Sequence, residues 1–134
     1  MITSPVVGLI ILKLISWNDK KERTKDLEDI SLLLNSGWDF YEEEAYRNHL
    51  DLFNNDFEMT KVAARIIGRK MKPILATNEK LNQTIISILE EAIKEKSKAE
   101  NTEIFLALNM NKSLLEVQNI LSEIIQGIQE ETNI

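Results

Sequence analysis

The sequence predicts an all-α protein, a single bundle of about six to seven helices. Two observations carry that expectation. Only four glycines and two prolines punctuate 134 residues, and apolar side chains recur at helical rather than alternating spacing in one segment after another. The composition, 43% hydrophobic and 28% charged, is that of a chain able to bury a core. At this length one domain is expected, with roughly two thirds of the unfolded chain's surface buried.

Ser4-Pro5 reads as a cap followed by proline at the first helical position, and an apolar run then continues to about Asn18. The polar stretch 19–23 makes a turn. Thr24 can cap a second helix carrying Leu27, Ile30, Leu33 and Leu34, which Asn35-Ser36-Gly37 stops. Asp39 and Glu42 have the spacing of a capping box for a third helix reaching about Phe53. A fourth is expected from the turn at 54–56 to about Gly68, with a boundary or kink at Lys72-Pro73, because the residue before proline avoids helical dihedrals. From Asn78 a longer helix aligns Leu81, Ile85, Ile88, Leu89 and Ala92, and a short one is expected over 102–108. Ser113 and Glu116 form a capping box for a last helix with Leu114, Val117, Leu121, Ile124, Ile125 and Ile128 on one face. Residues 1–134 thus form one helical domain, with C-terminal helices over 78–130.

The residue types bound the chemistry. Without cysteine, disulfides, thiol nucleophiles and thiolate metal sites are excluded. His49 is the single histidine, so a nitrogen-and-sulfur zinc site cannot be assembled in one chain, and no metal ligand is assigned. His49 itself is expected as a surface or partner-facing residue, without a role. The apolar run 6–17 is too short to span a membrane and holds Lys13. No basic leader or small-residue cleavage site accompanies it, so a cytoplasmic protein is expected.

Lys13 is the informative residue. On a wheel of about 100° per residue, apolar side chains surround nearly the whole first helix. Lys13, Ser16 and Lys20 form its one polar strip. A lysine in such a setting either snorkels or meets an anion. Asp26, in the first turn of the second helix, projects within that helix's apolar arc, and Asp29 stands at the edge. A Lys13–Asp26 approach follows, either as a structural ion pair or as part of a site. An acid in a first turn is also favourable on dipole grounds alone, by roughly 0.3–1 kcal/mol.

The ordered set Lys13-Leu14-x-x-Trp17, a charged turn with Asp19 and Arg23, then Lys25-Asp26-Leu27-x-Asp29-Ile30-x-x-Leu33-Leu34 resembles the C-terminal helical half of bacterial nucleotidyltransferase-like proteins, including the AbiEii-type toxin branch of toxin–antitoxin pairs. The segment "VAARIIGRKMKPIL" over 62–75 is similar to another part of that group, and the resemblance covers roughly 5–90. It implies that Lys13 and Arg23 face nucleotide phosphates and that Asp26 is the acidic, catalytic residue at the site edge, Asp29 less so. A lysine suits that role because a compact ammonium neutralises phosphate as a point charge. Complete members also need a Gly-Ser turn and an Asp-x-Asp pair to hold Mg²⁺ and a nucleoside triphosphate. Neither motif occurs in this sequence. The resemblance therefore implies no cofactor for the chain in isolation, and a partner that is either a separate catalytic half or a second copy covering the first helix.

Charge is segregated along the chain, which is −6 overall. Acids dominate 26–58, and bases dominate 61–80. Lys61, Arg65, Arg69 and Lys72 share one helical face and could track the phosphates of a nucleic acid. The simpler expectation is that this strip pairs with the acidic third helix or lies in solvent, because stacking aromatics are not interleaved with it. The aromatic residues cluster in the first half and are expected in the core. A helical protein-interaction module, with Lys13 and Asp26 as a structural pair, is the competing reading.

Overall fold

The computed structural model describes residues 5–20, 24–53, 58–94 and 110–130. These residues are helical with no strand. Six α-helices are present among them: α1 (Pro5–Asp19), α2 (Thr24–Asn35), α3 (Gly37–Asn48), α4 (Met59–Leu75), α5 (Glu79–Lys94) and α6 (Leu114–Gln129), with a 3₁₀ turn at Leu50–Leu52 after α3. The helix expected over 102–108 lies outside the described residues. So do Arg23 and Phe57.

The all-α bundle is as the periodicity requires. Its centre is the pairing of α4 with α6, the most extensive in the molecule, against which α1, α3 and α5 pack while α2 lies along α1. Ile66, Ile67 and Met71 on α4, Ile85 and Leu89 on α5, and Ile120 and Ile124 on α6 are fully buried, each contributing about 1.5–3 kcal/mol relative to exposure. The helix expected from Asn78 starts at Glu79, and the Asn78 side-chain oxygen accepts from the Leu81 amide at 3.1 Å. The Ser113–Glu116 box closes in both directions, at 3.1 Å each. Before it, Asn111 has φ 57°, a left-handed conformation that asparagine tolerates better than most residues.

Three boundaries differ from expectation. Helix α3 starts at Gly37, directly after Ser36, and Asp39 sits inside its first turn rather than at its cap. Gly37 begins α3 because its missing side chain makes room: a Cβ there would lie 3.1 Å from the Ala63 Cβ. The same helix stops at Asn48, with a separate 3₁₀ turn following. Helix α4 runs through Pro73 to Leu75. Proline in the last turn removes a single intrahelical bond, and burial of Met71 and Leu75 holds the turn in place. Nearby carbonyls still find donors, Lys72 from the Ala76 amide at 2.8 Å and Ile74 from the Thr77 hydroxyl at 2.8 Å.

Helix α1 is less central than its apolar wheel predicts. Val7, Ile10, Ile11, Leu14 and Trp17 form the buried arc. Opposite them Leu12 is 65% and Leu9 42% exposed, and the space beside Gly8 is open.

Candidate functional site

The short connection between α1 and α2 lays the polar strip of α1 against the start of α2. Lys13 Nζ stands 2.7 Å from Asp29 Oδ2 and 3.7 Å from Asp26 Oδ1. Ser16 lies one turn further along the same strip, and its hydroxyl donates to Asp26 Oδ2 at 2.9 Å. The structure therefore brings Lys13 and Asp26 together as their spacing suggests, but the closer partner of Lys13 is Asp29. Lys25 also approaches Asp29, at 3.4 Å. Lys20, the third member of the strip, is exposed.

The electrostatics follow from depth. The Asp26 side chain is only 1% exposed, whereas Lys13 retains 27%. The hydrogen bond from Lys13 holds the Asp29 carboxyl below the usual carboxylate range; desolvation opposes it, and the positive charges of Lys13 and Lys25 add to it. Two carboxylates matched by Lys13 and the more exposed Lys25 leave the cluster without the surplus positive charge a phosphate needs. Asp26, enclosed by the strip, is a poor candidate for touching a substrate.

The basic strip of α4 is placed differently. Arg65 donates to Glu123 Oε1 at 3.0 Å and Gln126 Oε1 at 3.3 Å on α6, and also to Glu130. Arg69 donates to both oxygens of Glu130 at 2.9 Å, to Asp51 Oδ1 at 3.2 Å, and to His49 Nδ1 at 2.8 Å. A guanidinium can only donate, so His49 Nδ1 accepts and its Nε2 donates to Glu44 Oε2, 3.1 Å away. His49 is thus a buried bridge rather than the surface or partner-facing residue expected. Lys70 completes the network at 2.9 Å from Glu44. Lys61 pairs weakly with Glu58, the residue just before its helix, 3.9 Å away, and Lys72 is half-buried. The strip mainly fastens α4 to α6 and to the 3₁₀ turn, with Lys70 making the link to α3.

Burial lifts the Glu130 carboxyl, but hydrogen bonds from Arg69 and Arg65 more than reverse this and hold it below its usual range. Asp51 is lowered by its hydrogen bond from Arg69 against a smaller effect of burial. Glu44 is lifted by burial and lowered more by Lys70 and His49. The same contacts push Arg69 upward, chiefly through Asp51. Such shifts mark a structural ion network as readily as a reactive one.

Three further features bear on function. A cavity between α1, α2, α5 and α6 is lined by apolar residues such as Leu14, Leu27, Ile30, Ile88 and Leu121, which offers no group to a polar substrate. Among the described residues no cluster of three or more histidines, aspartates or glutamates is placed to hold a metal ion. Among them, too, no helix is long and apolar enough to cross a membrane.

Sequence reasoning missed the Ser16–Asp26 bond and the Glu130 clamp. Ser16 was visible on the polar strip, but its partner lies on another helix. Glu130 follows α6 and has no local pattern linking it to Arg69. No protein-family model matches the chain, no curated protein matches it, and no solved structure matches it.

Proposed function

We propose that the chain is a cytoplasmic helical interaction module, without catalysis of its own, that pairs with a second copy through the outer face of α1. The supporting observation is the exposure of Leu12 and Leu9 on a helix whose opposite arc is fully packed. Exposed leucines at i and i+3, beside a glycine with open space, suit close helix–helix contact. Charge supports a like partner. No acid occurs on α1 before Asp19, and its one cation there, Lys13, is neutralised by Asp29 and Asp26. Two copies of a chain carrying −6 can therefore meet on this face without opposing like charges. In a twofold, antiparallel contact Leu12 of each copy would lie across Gly8 of the other.

One observation favours a second reading. Lys13 keeps 27% of its surface at the solvent edge of its cluster, where a phosphate oxygen can reach it once Asp29 moves aside. In that reading the chain is the helical half of a nucleotidyltransferase-like enzyme, docked on a separate catalytic half that supplies Mg²⁺ and the triphosphate site.

Light-scattering mass and calorimetry with ATP, CTP, GTP and UTP plus Mg²⁺ separate the two. The dimer reading expects twice the 15.4 kDa chain mass, reduced to a monomer by Leu12→Glu, and no nucleotide heat. A monomer at high concentration overturns it. Saturable nucleotide binding lost on Lys13→Ala would install the second reading.

A further inference from the structure

The outer face of α3 combines aromatic rings with unbalanced acids. Tyr46 is 55% exposed. Its ring centroid lies 5.0 Å from that of Phe53 and 6.1 Å from that of Trp38, and those two are 6.5 Å apart. Three mutually touching rings make a stiff platform, because each fixes the tilt of the others. Asp39, Glu42 and Glu43 precede Tyr46 by seven, four and three residues, which places them around it on one helical face. All three are exposed. Asp39 and Glu42 make no ion pair among the described residues. Glu43 meets Arg47 at 3.2 Å, both well exposed, a contact of little strength in water.

Among the described residues, Arg47 is the one cation paired with an acid of this face. Arg65, Arg69 and Lys70 are held by other carboxylates, Arg65 by Glu123 and Glu130, Arg69 by Glu130 and Asp51, and Lys70 by Glu44. The opposite side of α3 shows what the missing partner looks like. There Lys70 Nζ lies 5.6 Å from the Tyr41 ring centre and 2.9 Å from Glu44. A tyrosine and a glutamate three residues apart thus already hold an ammonium on this helix. Tyr46 with Glu43 and Glu42 repeats that pairing toward solvent.

We propose that the Tyr46 face of α3 is a docking point for an arginine or lysine of a basic peptide segment on a partner protein. The cation lies over the Tyr46 ring, where the ring quadrupole attracts it, and its N–H groups reach Glu42 and Asp39. An apolar neighbour in the peptide packs on the exposed Leu50. The negative field steers basic partners and turns nucleic acid away. This face is separate from the α1 surface, so it stands or falls independently of self-pairing.

The test is fluorescence anisotropy of a labelled peptide alternating arginine and leucine, with a glutamate–leucine peptide as control, against the full chain and against Leu12→Glu. Saturable binding of the basic peptide is expected, weakened by added salt and unchanged by Leu12→Glu. Tyr46→Ala should weaken it about tenfold while Tyr46→Phe retains it, and Glu42→Gln should weaken it and flatten the salt dependence. Circular dichroism checks that each variant is folded, which the exposure of Tyr46 and Glu42 favours. Absence of saturable binding overturns the proposal. So does equal binding by Tyr46→Ala, which would reduce the interaction to charge alone.

Discussion

Gly68 of α4 and Gly127 of α6 face each other backbone to backbone. A Cβ on Gly68 would fall 2.9 Å from the Gly127 Cα, and one on Gly127 would fall 2.5 Å from the Arg65 carbonyl oxygen and 2.8 Å from the Arg69 nitrogen. The closest pair of helices in the bundle therefore meets at a point where neither can carry a side chain. That approach also brings Arg65 and Arg69 within reach of Glu123 and Glu130.

Gly68→Ala and Gly127→Ala are each expected to destabilise the protein by about 3 kcal/mol, because rigid backbone must move to relieve the overlap. That outweighs the gain of about 1 kcal/mol in helix propensity. Gly8→Ala is the control: nothing lies within 4 Å of its Cβ position, so only the propensity gain remains. Urea unfolding at low protein concentration measures all three. Equal midpoints for Gly68→Ala and the parent chain would show that α4 and α6 do not cross here.

Lys13→Met removes the ammonium that faces the buried Asp26. Breaking one side of a largely buried pair leaves a carboxylate in a poor dielectric, and a loss of about 2 kcal/mol is expected. Combining Lys13→Met with Asp26→Asn should recover much of it, since the charge left behind is gone. Ser16→Ala should cost about 1–2 kcal/mol through the lost hydrogen bond to Asp26. A purely additive cycle would show that Lys13 and Asp26 do not interact in solution.

Helix type and most apolar faces were legible because they depend on local periodicity. Val117, Leu121 and Ile124 were predicted on one face and are buried together. Lys13 and Asp26 were legible as a pair because only a few residues separate the end of α1 from the start of α2. What escaped was decided by contacts distant in the chain. Pro73 reads locally as a boundary or kink, yet α4 continues past it to Leu75, with Met71 and Leu75 buried on either side. The aromatic residues were expected in the core; among the described residues Trp17 and Tyr41 are buried and Trp38 and Phe53 pack half-buried against it, whereas Phe40 and Tyr46 are exposed. Gly68 and Gly127 could have been noticed as glycines inside apolar helical runs, though nothing local says that they meet.

Binding of nucleic acid by the basic face of α4 requires Arg65 and Arg69 to leave their carboxylates. We therefore expect no salt-dependent binding of an RNA hairpin to the folded chain in a filter or anisotropy assay. Arg65→Gln and Arg69→Gln should instead lower the unfolding midpoint, because each leaves a partly buried Glu130 with fewer donors. Hairpin binding abolished by Arg65→Gln with no change in stability would reverse this assignment.

The same clamp makes stability depend on pH in a defined direction. Glu130, Glu44 and Asp51 all have carboxyls lowered in the folded chain, from ordinary values of 4.5 for the glutamates and 3.8 for the aspartate. A carboxyl that is more acidic when folded contributes stability above its ordinary value and loses it as the pH falls through the lowered one. Urea midpoints should be flat from neutral pH to about 5 and fall steadily below that. Arg69 donates to both Glu130 and Asp51, so Arg69→Gln should be less stable at neutral pH and show a shallower acid decline. Once the carboxylates are protonated the arginine has less to hold, and the two curves should converge as the pH falls through the lowered carboxyl values. Parallel curves for the two proteins would mean that the acid sensitivity arises elsewhere, and the Arg69–Glu130 contact would then not be what joins α4 to the end of α6.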